Sequence, residues 1–371
     1  MVKISETLKQ KGKIAVSFRG SLKSIFKPTA RLLASLVLVT LLGITAALPA
    51  HADDSANYSD TLNSLVPTTP IFNRKKVRLG ITPTGWSNSD DLTIDLVPPI
   101  PYQQILSEMA LSGFKGSQGA PKFPKDLNEL KRELEMRGLT ISEPWVGTYF
   151  TIGDKEESQK IFKEQMAFMK NFDSNVIVVA ELGGAVHQQP IEPLNNRPKF
   201  TNEQWKALTD GLNDLGKQAA EAGMVLCYHP HVGTGVQSFE DIDRLMKNTK
   251  PEYLKLLLDT GHLYYSGVDP LEVTKKYAAR INHVHLKNIR ENILEASKQE
   301  GRSFLNAIRS GVFTVPGDQE GAINFQPIFQ ELANANYKGW LIVEAEQDPN
   351  KAEPLKYALM ARRYLHEVTG L

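Results

Sequence analysis

The sequence predicts an α/β protein built as a single (β/α)8 barrel, and three observations predict it. From residue 76 onward, short apolar runs alternate with longer amphipathic ones. Eight runs of each kind suit a closed parallel barrel better than an open sheet. The doubly wound alternative usually carries a Gly-rich phosphate loop after its first strand, and Gly80-Ile-Thr-Pro-Thr-Gly85 lacks that spacing.

Taken in order, the strand candidates are Val77–Thr82, Gly113–Ser117, Leu139–Glu143, Val176–Glu181, Met224–His229, Leu254–Leu258, Ile281–Leu286 and Trp340–Glu344. Helical patterns fill 101–112, 126–137, 155–171, 202–222, 238–248, 270–279, 325–335 and 351–368. Gly113, Gly138, Gly223 and Gly339 stand at helix-to-strand joints, where a helix needs a residue that accepts a left-handed turn.

Composition bounds the rest. The chain has 371 residues, 41% hydrophobic, with 43 basic against 42 acidic side chains. That is ample material for one large core, and near-neutrality with 8% aromatics argues against disorder and against a nucleic-acid partner. The single cysteine, Cys227, excludes an intrachain disulfide framework and a thiolate zinc site. Charge is uneven along the chain: residues 1–52 carry eight basic residues against Glu6, whereas residues 53–371 carry 35 basic against 41 acidic. The basic stretch is followed by the apolar run Leu32–Ala47, then by Pro49 and an A-x-A pattern, Ala50-His51-Ala52. This order reads as an export signal peptide over 1–52, which puts the mature chain in the periplasm or another extracytoplasmic space. The alternative is an uncleaved membrane anchor over residues 32–50. Residues 53–75, rich in Asp, Ser, Asn, Thr and Pro, read as a flexible linker, and 76–371 as the barrel domain.

In such a barrel, chemistry gathers where strands end and the next loop begins. The polar residues follow that rule. Strand four ends in Glu181, strand five in Tyr228-His229-Pro230-His231, strand six in Asp259-Thr260-Gly261-His262. Strand seven carries His283-Val-His285-Leu-Lys287 and then Arg290; strand eight ends in Glu344-Ala345-Glu346. Each has an ordinary alternative: Asp259 as a helix N-cap, Glu346 as a salt-bridge partner, Lys287 and Arg290 as solvated charges, and His283 as a core residue turned away from the face that His285 uses. Together, carboxylate, imidazole and carboxylate on successive strand ends suit a divalent ion such as Mn2+, Co2+ or Zn2+.

The stretches Gly80–Trp86, Ser107–Phe114, Leu258-Asp-Thr-Gly-His-Leu263, His283-Val-His-Leu-Lys287, Gly311-Val-Phe-Thr-Val-Pro-Gly317 and Val343-Glu-Ala-Glu-Gln-Asp-Pro349 resemble one known group. They resemble the xylose-isomerase-like TIM barrels of the sugar phosphate isomerase/epimerase type, and within them the inosose (2-keto-myo-inositol) dehydratases. The resemblance covers about residues 76–371. It implies a divalent-metal-dependent enzyme acting on a sugar or cyclitol, with metal ligands at Asp259, His285 and Glu344 and a substrate contact at His262. Related epimerases carry a Glu at the end of strand five, where this chain has His229, read here as a fourth ligand with Glu181 as the substitute carboxylate. Asn288 also stands where relatives usually have Asp.

The chemistry expected of these groups is β-elimination of water from a polyhydroxy ketone, with isomerisation or epimerisation as the alternative and a non-catalytic exported sugar-binding barrel as a second one. A divalent cation, Mn2+ or Co2+ before Zn2+, stabilises negative charge developing on the ketone oxygen. Glu181 or His262 takes the α-proton, Lys287 holds charge on the oxygen, and an imidazole protonates the leaving hydroxyl. Trp86 and Tyr228 offer flat faces to the ring, while His231 and Arg290 hydrogen-bond its hydroxyls.

Overall fold

The computed structural model describes residues 70–371. Strands β1 (Val77–Ile81), β2 (Gly116–Gln118), β3 (Thr140–Glu143), β4 (Trp145–Thr148), β5 (Val176–Glu181), β6 (Val225–Tyr228), β7 (Leu254–Asp259), β8 (Ile281–Leu286) and β11 (Gly339–Val343) form one parallel sheet. Its order is β3-β2-β1-β11-β8-β7-β6-β5-β4. The two edge strands are consecutive in the chain, joined by Pro144 alone, so the sheet curls into a nearly closed barrel. Nine strands stand where eight were expected because Pro144 has no N–H to give the ladder and splits the third stave in two.

Between and after the strands run α1 (Tyr102–Leu111), α2 (Leu127–Glu135), α3 (Lys155–Met169), α4 (Pro193–Asn196), α5 (Asn202–Glu221), α6 (Phe239–Asn248), α7 (Thr260–Tyr265), α8 (Pro270–Tyr277), α9 (Glu291–Gln299), α10 (Phe304–Arg309), α11 (Phe325–Asn334) and α12 (Pro354–Thr369). Their starts are written locally. Thr201 and Ser238 form reciprocal capping boxes with Gln204 and Asp241, and Asp126 accepts from the Glu129 amide. Gly138 and Gly223 take φ of 63° and 72°, the left-handed turn that ends the preceding helix.

Three stretches depart from the sequence reading. The second strand is shorter and begins at Gly116 rather than Gly113. The segment between β8 and α11 holds two helices, α9 and α10, and a two-stranded antiparallel ribbon of β9 (Asn288–Ile289) and β10 (Phe313–Thr314). Composition assigns residues 70–75 to the linker, yet Phe72 is buried against Phe329 and Tyr337, and Arg74 donates to the Gly370 carbonyl. Residues 1–52 and the remainder of the linker, 53–69, lie outside the described residues.

Strand alternation sorts the side chains into an outer apolar layer against the helices and an inner column. Val176, Val178, Cys227 and Leu257 pack inside the barrel as a small apolar floor. Register places His283 level with Leu257 and His285 level with Asp259. The lumen therefore changes from apolar to ionisable within one pleat, towards the ends where the loops gather.

Candidate metal centre and barrel mouth

Asp259, the last residue of β7, does two jobs at once. Its Oδ1 accepts the His262 amide at 2.8 Å and caps α7, while Oδ2 faces the lumen. Around that oxygen lie His229 Nε2 at 3.3 Å, Lys287 Nζ at 3.4 Å and His285 Nδ1 at 3.7 Å. Glu344, just past the end of β11, brings Oε2 to 2.7 Å from His285 Nδ1. Ligand atoms of His229, Asp259 and His285 lie within 4.8 Å of one another, and all three residues are buried. Glu344 Oε2 is itself buried and, among the described residues, makes no well-aligned hydrogen bond, with His285 Nδ1 and the Lys287 ammonium as its polar neighbours. Hard oxygen and borderline nitrogen donors left unsatisfied at one point fit a divalent cation.

Lys287 is fully buried and acts as the centre's tethered cation. Its ammonium contacts Glu346 at 2.8 Å, His262 Nε2 at 2.9 Å and Glu344 at 3.2 Å. An isolated buried ammonium is costly, so three carboxylates around it are the condition of its charge. Gly261 gives the lysine stem its passage: any side chain there would collide with Lys287.

These contacts set the protonation states. Burial pushes Asp259 up, but Lys287 and the neighbouring imidazoles win and hold it well below the usual carboxylate range. Burial lowers His285, yet Glu344, Asp259 and Glu143 raise it well above an ordinary imidazole. His262 and His231 are driven well below their usual value, first by burial; His231 and Lys287 then add to the effect at His262, and His187, His229 and Lys287 at His231. Glu346 and Lys287 are both pushed upward, which one shared proton cannot satisfy twice. Lys287 faces three carboxylates and keeps its charge, so Glu346, raised to about 8 by burial and by Glu344 and Asp259, is the partner that titrates.

A cavity of about 270 Å³ opens onto the centre, walled by Asn88, Gln118, Trp145, His229, His231, Glu344 and Glu346. A larger groove of about 810 Å³ runs beside Leu355–Tyr364 of α12, but it holds none of these donors. In the mouth, His231 Nδ1 lies 2.8 Å from the Val232 carbonyl. A carbonyl only accepts, so Nδ1 carries the proton and Nε2 the lone pair.

Several expected site residues sit elsewhere. Glu181 is completely buried and accepts five donors: Thr148 Oγ1, the amides of Phe150, Thr151 and Gly183, and Thr151 Oγ1. It pins the turn after β4 and has no lone pair to spare as a base. Trp86 is a core residue whose indole donates to Glu108, outside the mouth cavity. Arg290 clamps the ribbon segment through Glu320, Asp318, Thr314 and the Gly311 carbonyl. Tyr228 is fully buried, and its hydroxyl oxygen accepts the Glu181 amide N–H at 3.3 Å. His283 shares the lumen face with His285, two residues on, because alternation has a period of two; the expectation that it turns away fails.

Two residues escaped the sequence reading. Glu143, fully buried at the end of β3, lies 3.3 Å from His283 Nε2 and 3.4 Å from His285 Nε2. Trp145, half-buried at the start of β4, donates to His229 Nδ1 at 3.2 Å. The only sequence signal for either was Pro144 between them.

The profile of the xylose isomerase-like TIM barrel family matches residues 106–365. An inosose dehydratase of Clostridium tetani (strain Massachusetts / E88) is 48% identical over 302 residues, covering 81% of this chain and 100% of that protein. The chain belongs to the inosose dehydratase group of this barrel family. The inosose dehydratase of Geobacillus thermodenitrificans (strain NG80-2) is 47% identical with the same coverage. Among solved structures, an L-ribulose 3-epimerase superposes with a TM-score of 0.56 at 17% identity, over 79% of this chain and 95% of that one. A probable 3-DHS dehydratase from Bacillus anthracis gives 0.54 at 18%, over 76% and 97%. These two likenesses concern the fold. Family membership makes the chain one of a group of metal-dependent hydro-lyases, and the buried His/Asp/Glu cluster supplies the matching donors.

Proposed function

We propose that this protein removes water from an inosose, a cyclic polyhydroxy ketone, by metal-assisted β-elimination. The observation that carries the reading is identity of 48% across the whole length of a dehydratase of that name. Asp259, His285 and Glu344 would hold the divalent ion, Mn2+ or Co2+ in preference to Zn2+, because the donor set is oxygen-rich and lacks sulfur. Such an ion polarises a ketone oxygen and acidifies the neighbouring C–H.

The protein's own groups do the rest. His231 presents an unprotonated Nε2 to the cavity and is the base that takes the α-proton; its low basicity keeps that lone pair open at neutral pH. The electron pair of the broken C–H bond forms the new double bond, and the β-hydroxyl departs with a proton from Glu346. The Lys287 ammonium, in contact with Glu346, pairs with the carboxylate left behind. His262 accepts from Lys287 and so orients the ammonium rather than moving a substrate proton. Neutral amide groups of Asn88 and Gln118 on the wall suit ring hydroxyls.

Epimerisation requires a second carboxylate opposite Glu344, and Glu181, the one the sequence offered, is spent on its five donors. Export through residues 1–52 is part of the proposal; N-terminal sequencing of the chain recovered from a cell-envelope fraction tests it, with Asp53 expected first. For the activity itself, the full chain with Mn2+ is given an inosose. A product lighter by one water is expected; a product of unchanged mass that has exchanged hydrogen with solvent would assign epimerisation instead.

A further inference from the structure

Of the three imidazoles around Asp259 Oδ2, His229 and His285 come nearest, and only one of these two is free to bind an ion. The indole N–H of Trp145 is a pure donor, and it points at His229 Nδ1 from 3.2 Å. That nitrogen must carry the lone pair. The ring's one proton then sits on Nε2, the atom 3.3 Å from Asp259 Oδ2. A protonated nitrogen cannot coordinate.

His285 is held the other way round. Its Nε2 faces the Glu143 carboxylate at 3.4 Å, and a carboxylate flanked by His283 and His285 is acceptor only. Among the described residues, neither Glu143 oxygen has a donor neighbour besides these two imidazoles, in a fully buried setting. The Nε2 proton is thereby fixed, and Nδ1, 2.7 Å from Glu344 and 3.7 Å from Asp259, becomes the nitrogen that is given to a cation.

We infer that the three-residue segment Glu143-Pro144-Trp145 is a tautomer-setting device: Glu143 makes His285 a ligand through Nδ1, and Trp145 makes His229 a hydrogen-bond donor instead of a fourth ligand. Both are positioning residues, acting from the break in the third stave across the lumen onto β6 and β8. The released role for His229 is donation, to Asp259 or to a substrate oxygen in the cavity it lines.

This inference rests on an ion being held by Asp259, His285 and Glu344, and its test separates the two. The full chain, with isotope-labelled histidine, is followed by long-range nitrogen–proton NMR before and after Zn2+, and Mn2+ affinity is measured by EPR. His229 should show the Nε2–H form throughout, while His285 Nδ1 alone moves into the metal-bound range. Glu143→Gln should weaken Mn2+ binding about 10- to 100-fold, and Glu143→Asp, which still accepts, should recover most of it. Trp145→Phe should leave Mn2+ affinity within about threefold yet let the metal-free His229 redistribute its proton. A His229 nitrogen entering the metal-bound range, undiminished Mn2+ affinity in Glu143→Gln, or an unchanged His229 tautomer in Trp145→Phe would overturn it. A wild-type chain that binds neither ion sinks the metal reading, and the His229 tautomer in Trp145→Phe still decides Trp145's part.

Discussion

Asp259 and Glu181 are both buried carboxylates at the ends of parallel strands, two staves apart in one barrel. Position alone gives them equal claim to the chemistry. Their partners divide them: Glu181 takes donors on both oxygens and locks a turn, whereas Asp259 keeps one oxygen among three imidazoles and an ammonium. A carboxylate spent on backbone amides and hydroxyls is architecture; one that keeps an oxygen among titratable groups is a site.

The comparison can be broken most severely at its reactive end. Asp259→Asn should lower Mn2+ affinity by more than about 100-fold, beyond what loss of an outer partner costs, and abolish turnover; calorimetric titration checks it. Retained affinity would mean that the ion sits elsewhere. Next, His231→Gln should reduce kcat by about 10²- to 10⁴-fold, as loss of a general base does, while Mn2+ affinity stays near wild type. An effect confined to KM would return His231 to substrate binding.

The architectural end predicts the reverse pattern. Glu181→Gln should destabilise the fold by about 1–3 kcal/mol, the usual cost of leaving buried donors unpaired, with kcat reduced by less than about tenfold. Loss of activity at unchanged Tm would restore Glu181 as a base.

Acidity sharpens the same contrast more gently. Because its carboxylate neighbours raise His285 well above the ordinary imidazole range, the site holds a proton that an entering ion must displace. Affinity for Mn2+ should therefore fall as pH falls, by about tenfold per unit while one proton is displaced. A flat profile between neutral and mildly acid pH would show that His285 is already neutral. The smallest effect is expected at Arg290: Arg290→Lys should shift KM by less than about threefold while lowering Tm, since a bidentate clamp is not replaced by a point charge.

The barrel and the ion-binding side of the mouth were legible because parallel strands bring their ends to one place whatever the loops do. Asp259, His285 and Glu344 needed only their strand positions. Glu143 and Trp145 were hidden because their partners come from barrel closure: β3 stands four places from β8 in the sheet order, and no local pattern reports a contact across the lumen. Glu181, Trp86 and Arg290 misled for the opposite reason. Their residue types suit substrate, but local donors and acceptors use them up: a turn of backbone amides, Glu108, and the β9–β10 ribbon.

The most direct test pairs the ion with the reaction. The full chain is stripped with EDTA, titrated with Mn2+, and assayed with an inosose at each point. Dehydration should rise in proportion to bound ion and saturate at one equivalent per chain, with Asp259→Asn silent throughout; steady water loss from the stripped chain, or from that variant, would contradict the account.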